Sequence, residues 1–259
     1  MMLIDVHAHL CDEKFADETE AVIADSENEN PSRIIDTGSD LITSERAYAN
    51  ALKYRRVFCA VGIHPEFADK LNDDVCARLG EMWANEKVVA IGETGLDYHY
   101  DNNPLPEVQK RAFCTQIELA YSLKAPIVVH IRDAYGDAWD LLNENSSKLH
   151  YGLLIHCYSG SKEMAARFSK FDSYFSFGGA VTFKNAKEKP AIISSLPLNR
   201  ILVETDCPYM SPEPFRGRMN FPKNVRIVAE KIAEIIGKDI KEIEEITTEN
   251  AFRLFKKLK

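Results

Sequence analysis

The sequence predicts an α/β fold, a single (β/α)8 TIM barrel over residues 1–259, on three observations. Short apolar runs alternate with longer amphipathic segments from one end of the chain to the other, and strict alternation implies parallel strands joined by right-handed crossovers. Eight such pairs can be counted, the number at which a parallel sheet closes on itself. Side chains able to bind a metal recur at the C-terminal ends of the strand-like runs, and in a barrel those ends surround one mouth. A doubly wound open sheet, the main rival, gives no reason for that recurrence.

The first strand is expected over residues 4–10, Ile-Asp-Val-His-Ala-His-Leu, where a period of two places Asp5, His7 and His9 on one face. A helix follows at 15–26, then a strand at 33–38 that closes at Gly38, and a helix at 41–54. The third strand, 57–62, leads into Ile63-His64-Pro65, and a helix at 73–83 precedes the fourth strand, 88–93, which ends in Glu93. A loop rich in Asp, Asn and Pro (101–106) opens onto a long helix at 107–123. The fifth strand, 126–130, ends in His130 and is followed by a helix at 133–143; the sixth, 152–156, ends in His156 and is followed by a helix at 162–170. The seventh strand is 174–177, with a helix near 186–195, and the eighth is 200–206, ending in Asp206. A Pro-rich loop at 208–222 gives way to helices at 224–236 and 240–257.

Bulk properties narrow the function. Lys and Arg total 32 against 40 Asp and Glu, a formal charge of −8, the wrong sign for a protein that grips long duplexes through a broad basic surface. Contact with nucleic acid should therefore be local. The six cysteines show no C-x-x-C spacing and are expected to be reduced, mostly buried thiols. With no basic-then-apolar leader and no apolar run of ~20 residues, the chain is expected to be cytoplasmic, without membrane contact, and monomeric.

Six ligand-type residues carry the chemistry: His7 and His9 on the first strand, Glu93 on the fourth, His130 on the fifth, His156 on the sixth and Asp206 on the eighth. Taken singly, His130 or His156 also fits a buried histidine bonded to a backbone carbonyl, and Glu93 or Asp206 a helix cap. Their shared position decides for a common site. Four imidazoles and two carboxylates exceed what one tetrahedral ion requires, whereas two ions bridged by Glu93 would use them all. His7, His9 and Asp206 would bind one ion and His130 and His156 the other. Two ions about 3.5–4 Å apart form the arrangement that hydrolyses phosphate esters, because together they hold the attacking and the leaving oxygens. Asp206 is also the best placed to take a proton. Imidazole and carboxylate donors suit zinc, manganese, iron and, less well, magnesium.

Six motifs resemble one known family. Asp5-Val6-His7-Ala8-His9, Gly62-Ile63-His64-Pro65-Glu66, Gly92-Glu93-Thr94-Gly95-Leu96-Asp97-Tyr98, His130-Ile131-Arg132-Asp133-Ala134, His156-Cys157-Tyr158-Ser159-Gly160 and Glu204-Thr205-Asp206-Cys207-Pro208-Tyr209 resemble, in order, those of the TatD-type metal-dependent deoxyribonucleases. The resemblance implies a dinuclear divalent-metal site and hydrolysis of DNA phosphodiesters, in several relatives as a 3′-to-5′ exonuclease on single strands. It implies that His64 and Arg132 face the substrate. Phe221 stands where relatives usually carry an acid, which bears on substrate contacts in that loop.

Arg132 is expected either to hold a phosphate or to pair with Asp133, and His64 either to donate to a phosphate oxygen or to cap a loop. Lys184, Arg216 and Arg218 would extend a small basic patch. Tyr98, Tyr158 and Tyr209, each near a proposed ligand, are candidates to stack on unpaired bases or to pack under loops. The rival activity is hydrolysis of another ester or amide, such as a D-aminoacyl-tRNA ester; the rival class is a non-catalytic binding protein, which would have lost a ligand.

Overall fold

The computed structural model describes residues 3–16, 18–25 and 31–259. Eight strands, β1 (Ile4–Ala8), β2 (Arg33–Thr37), β3 (Val57–Val61), β4 (Val88–Asp97), β5 (Ile127–Arg132), β6 (Leu153–Ile155), β7 (Tyr174–Phe177) and β8 (Ile201–Val203), lie in chain order, each parallel to the next. The segment after β8 returns to β1 through two backbone hydrogen bonds: the Asp206 N–H donates to the His7 carbonyl at 2.9 Å and the His9 N–H to the Cys207 carbonyl at 2.7 Å. The strands thus form the barrel that the alternation predicted.

Local chemistry sets the helix boundaries. Among α1 (Thr19–Asp25), α2 (Leu41–Lys53), α3 (Asp73–Trp83) and α4 (Pro106–Leu123), α2 starts at a capping box: the Asp40 carboxylate accepts the Thr43 N–H at 2.8 Å and the Thr43 hydroxyl oxygen accepts the Asp40 N–H at 2.9 Å. Pro106 opens α4, where its missing N–H costs nothing. The remaining helices are α5 (Tyr135–Glu144), α6 (Lys162–Phe168), α7 (Lys189–Ser195), α8 (Val225–Ile236) and α9 (Ile240–Leu254). None of the described helices is long and apolar enough to cross a membrane.

Two buried clusters sandwich the sheet. One gathers Ile4, Ile35, Ala60, Ala90, Val128, Leu154 and Leu202, from seven of the strands, against Leu254, Phe255 and Leu258 at the chain's end. Lys257 donates there to the carbonyls of Trp83, which ends α3, and Asn85, in the turn that precedes β4, so the segment after α9 plugs the barrel at the end opposite the mouth. The larger cluster lies between strands and helices and includes Phe113, Trp139, Phe168 and Ile232. All six cysteines are free thiols, Cys11, Cys59 and Cys207 fully buried.

Several boundaries differ from the expectation. Residues 15–26 do not form one helix: a short 3-10 turn (Glu13–Phe15) precedes α1, because Phe15 anchors the core while its neighbours face water; positions 17 and 26 lie outside the described residues. β4 and β5 run past Glu93 and His130, whereas β6 and β8 stop short of His156 and Asp206. The pairing of β1 with β2 shifts between Asp5 and Ala8, so Asp5 does not share a face with His7 and His9 as a strict period of two requires. Its carboxylate instead accepts the backbone N–H and the hydroxyl of Thr205, at 2.9 and 2.5 Å.

Candidate metal centre at the barrel mouth

All six ligand-type residues converge at the C-terminal end of the barrel, and Glu93 stands at their middle. β4 holds Glu93 almost fully buried with its two carboxylate oxygens facing opposite ways. Oε2 lies 3.4 Å from His7 Nε2 and 3.8 Å from His9 Nε2. Oε1 lies 2.9 Å from His130 Nδ1 and 2.7 Å from His156 Nε2. Asp206, in the left-handed region at φ 58 just past β8, brings Oδ1 to 3.3 Å from His9 Nε2 and 3.9 Å from His7 Nε2.

The donor set fits divalent ions. His7 and His9 turn Nε2 toward each other at 3.3 Å, and His130 Nδ1 faces His156 Nε2 at 3.1 Å, so nitrogen lone pairs meet where at most one proton fits between each pair. Ligand atoms of one tetrahedral ion, about 2.0–2.2 Å from it, stand roughly 3.3 Å apart, which is the spacing found here. His7, His9 and Glu93 form one set of converging donors, and Glu93, His130 and His156 a second. Further sets combine His7, His156 and Asp206, and His64, Asp97 and His130.

Charge inside the cluster follows from burial and crowding. Burial raises the Glu93 carboxyl, but His156, His64 and His7 around it and the hydrogen bond from His130 hold it well below the usual carboxylate range. Burial lowers His9, yet the bond to Asp206 and the charge of Glu93 override that and push it up to about 9. His156 is raised, against its burial, by Glu93 and Glu204. Burial, with His156 nearby, lowers His7.

The ring nitrogens that face away from this cluster are held differently. His9 Nδ1 meets the Thr37 carbonyl at 2.8 Å, and His7 Nδ1, fully buried, has no hydrogen-bond partner. His130 Nε2 meets Asp97 Oδ2 at 3.1 Å, and His156 Nδ1 faces Glu204 Oε1 at 3.7 Å, within ion-pairing but beyond hydrogen-bonding distance. Asp97 and Glu204 were not singled out from the sequence. Each stands an even number of residues from a proposed ligand, Glu93 and Asp206, and that spacing was the available signal.

The substrate-side residues divide. His64 opens a 3-10 turn at Pro65–Lys70, and its Nδ1 accepts the Glu66 N–H at 3.2 Å, so Nε2 carries the hydrogen and points inward, 3.8 Å from Glu93 Oε1. It therefore caps a loop and faces the site at once. Arg132 does not pair with Asp133, which binds His99 at 2.8 Å; its guanidinium lies over the Tyr100 ring at 4.9 Å and donates to the Tyr100 hydroxyl at 3.1 Å. Tyr100, 52% exposed, went unnoticed in the sequence because no ligand stands beside it. Of the three tyrosines proposed for stacking, Tyr158 is fully buried, its hydroxyl bonded to the Ser161 carbonyl at 2.6 Å, and it cannot meet a base. Tyr98 is half-buried and bonded to Asp137. Tyr209, 43% exposed, lies 6.2 Å from the His9 ring with Lys14 over its face. Arg216 covers Phe183 at 4.2 Å, and Phe221 packs against Phe15 and lines a cavity of about 400 Å³ with Phe215, Arg218 and Met219.

Comparison with known proteins identifies relatives over nearly the whole chain. The chain is 44% identical over 255 residues to the uncharacterized metal-dependent hydrolase YabD of Bacillus subtilis, covering 98% of this chain and 99% of that one. It is 32% identical over 260 residues to the 3′-5′ ssDNA/RNA exonuclease TatD of Cronobacter sakazakii, covering 98% of each. The crystal structure of YJJV, a TatD homologue from Escherichia coli, superposes with a TM-score of 0.91 at 28% identity over 98% of each chain. A family model described as TatD related DNase matches residues 4–256. The chain therefore belongs to the TatD family of metal-dependent hydrolases.

Proposed function

We propose that this protein is a divalent-metal-dependent deoxyribonuclease that removes nucleotides from the 3′ ends of single-stranded or frayed DNA. The observation that carries the reading is the division of Glu93: one carboxylate oxygen faces His7 and His9, the other His130 and His156. A single carboxylate placed between two imidazole pairs would serve two ion positions at once. His7, His9 and Asp206 would hold one ion, His130 and His156 the other, and Glu93 both. When bound, such a pair supplies Lewis-acid stabilisation of the phosphoryl oxygens and lowers the pKa of water.

The chain's own groups do the rest. Asp206, whose burial raises it but which His9, His156 and His7 together hold below the usual carboxylate range, orients the attacking water and accepts its proton at a carboxylate oxygen. His64 is held neutral by burial and by His130, and it donates from Nε2 to a phosphate oxygen. Arg132, braced by Tyr100, has N–H groups free for a second phosphate oxygen. The exposed rings of Tyr100 and Tyr209 flank the mouth and give unpaired bases a surface to stack on. The net charge of −8 confines DNA contact to this mouth. The name of the Cronobacter relative, an exonuclease on single-stranded DNA and RNA, supports the same substrate class.

The test is degradation of 5′-labelled single strands with Mn2+ or Mg2+, by the wild type and by His130→Ala. A ladder shortening from the 3′ end, absent in the variant while its circular dichroism is unchanged, is expected. No cleavage of any strand, with hydrolysis of an aminoacyl ester instead, overturns the nuclease reading.

A further inference from the structure

We propose that Asp97 and Glu204 are positioning residues for the ion held by His130 and His156. The inference rests on the two-ion reading above and concerns how the two positions differ. The position at His7 and His9 has a carboxylate of its own, Asp206, in addition to its share of Glu93. Around the position at His130 and His156 it is Glu93 that stands closest, and Asp206 groups with His156 in a set that also takes His7.

Two more carboxylates stand one imidazole further out. Asp97 Oδ2 lies 3.1 Å from the far nitrogen of His130, and Glu204 Oε1 3.7 Å from the far nitrogen of His156. On the other side the far nitrogen of His9 meets a neutral carbonyl, and that of His7 has no hydrogen-bond partner. A carboxylate behind a ligating histidine fixes which nitrogen keeps its proton, holds the ring plane and makes the facing nitrogen more basic. It also accounts for His130 presenting Nδ1 to Glu93 whereas His156 presents Nε2: each ring is turned so that its other nitrogen faces a carboxylate, at 3.1 and 3.7 Å.

Both carboxylates are themselves anchored. Asp97 Oδ1 accepts the His99 N–H at 2.9 Å, and the Gln109 amide grips the Asp97 backbone, accepting its N–H at 2.8 Å and donating to its carbonyl at 2.9 Å. Glu204 is fully buried and its Oε2 accepts the Ser176 hydroxyl at 2.5 Å, which leaves Oε1 with no hydrogen-bond partner and His156 Nδ1 3.7 Å away. A buried carboxylate oxygen left without a donor is costly, and a His156 Nδ1–H drawn toward it when Nε2 takes a metal removes that cost.

The experiment counts metal and does not depend on turnover. The full chain is dialysed against buffered free Mn2+ over a range of concentrations, and bound Mn per chain is measured by elemental analysis. The wild type is expected to saturate at two ions, and His9→Ala and His130→Ala at one each. In the His9→Ala background, Asp97→Asn or Glu204→Gln shifts the midpoint for the remaining ion by about 10- to 100-fold. In the His130→Ala background the same changes shift it less than about twofold. Unshifted midpoints in the first background, or equal shifts in both, overturn the proposal, since a general loosening of the fold touches both positions alike. Glu204→Gln retains the bond to Ser176 and carries the test should Asp97→Asn not fold. A wild type that saturates at one ion removes the two-ion reading instead; the proposal then stands only if that ion is lost with His130→Ala and weakened by Asp97→Asn.

Discussion

The Thr205 hydroxyl donates to the Asp5 carboxylate at 2.5 Å across 200 positions of sequence, and the Thr205 N–H joins it at 2.9 Å. Asp5 stands two residues before His7 and Thr205 one before Asp206. The pair therefore ties the first strand to the segment that closes the barrel and sets the distance between two proposed ligands. Asp5→Ala leaves two buried donors without an acceptor, at ~1–3 kcal/mol each. Expected is a stability loss of about 3 kcal/mol by urea unfolding and weaker metal retention at the His7 and His9 side. Unchanged unfolding midpoints would show that the tie is incidental.

Much of this site was legible because its residues coincide with a period the chain cannot avoid. Glu93, His130 and His156 end or follow apolar runs whose length and composition mark buried strands, and closure of eight strands brings such ends together. Asp206 was expected to end the eighth strand at 200–206, but β8 ends at Val203, and a left-handed turn at Asp206 aims the carboxylate. Asp5 and Tyr158 were misplaced for opposite reasons. A register shift turned one aside from a regular face, and a tyrosine beside a ligand looked like rim although its ring fills core against Phe175. Asp97 and Glu204 escaped because a carboxylate that serves a ligand looks in sequence like any polar residue near a strand end.

The proton inventory of the metal-free site predicts opposed pH trends. His9 is pushed up to about 9, above the ~6.5 of an unfolded histidine. A folded-state pKa raised in this way stabilises fully below pH ~6.5, and that stability is lost as pH climbs through 9. Asp5, pushed up to about 8 by burial, adds a loss in the same direction with or without metal. Metal must displace the His9 proton, so apparent metal affinity rises about tenfold per pH unit over the same window for each proton released. Scanning calorimetry from pH 6.5 to 9 should show the melting temperature of chelated protein falling more steeply than that of Mn2+-saturated protein. Parallel slopes would mean that His9 does not carry that proton.

Arg132 separates charge from geometry. Its guanidinium both stacks on Tyr100 and donates to the Tyr100 hydroxyl, which a lysine ammonium cannot do in one pose. Arg132→Lys should weaken single-strand binding about tenfold, the value of one lost charge-assisted hydrogen bond, while leaving its salt dependence unchanged. Arg132→Ala should lose affinity and also flatten the slope of log affinity against log salt by about 0.7, as one fewer phosphate is neutralised. Fluorescence anisotropy of a labelled strand, in the non-cleaving His130→Ala background, measures both. An unaltered slope in Arg132→Ala would place Arg132 off the phosphate.

The tightest constraint on the site is a hydrogen atom. Gly95 sits in β4 between Glu93 and Asp97 at φ 138, and a Cβ built there would lie 2.0 Å from the carbonyl oxygen of His130. No rotamer relieves that clash, because both atoms are fixed to backbone, and the φ itself is one that side-chain-bearing residues rarely adopt. Gly95→Ala must push β5 outward at His130, away from Glu93 and Asp97 together. Expected are a stability loss of at least ~3 kcal/mol and loss of the ion at His130 and His156, with the His7 and His9 position still filled. Gly136→Ala, at a position in α5 with open space around it, is the control and should be neutral or slightly stabilising. Melting curves with metal counts decide: a Gly95→Ala protein that keeps both ions would show that the two strands can part here without disturbing the centre they hold.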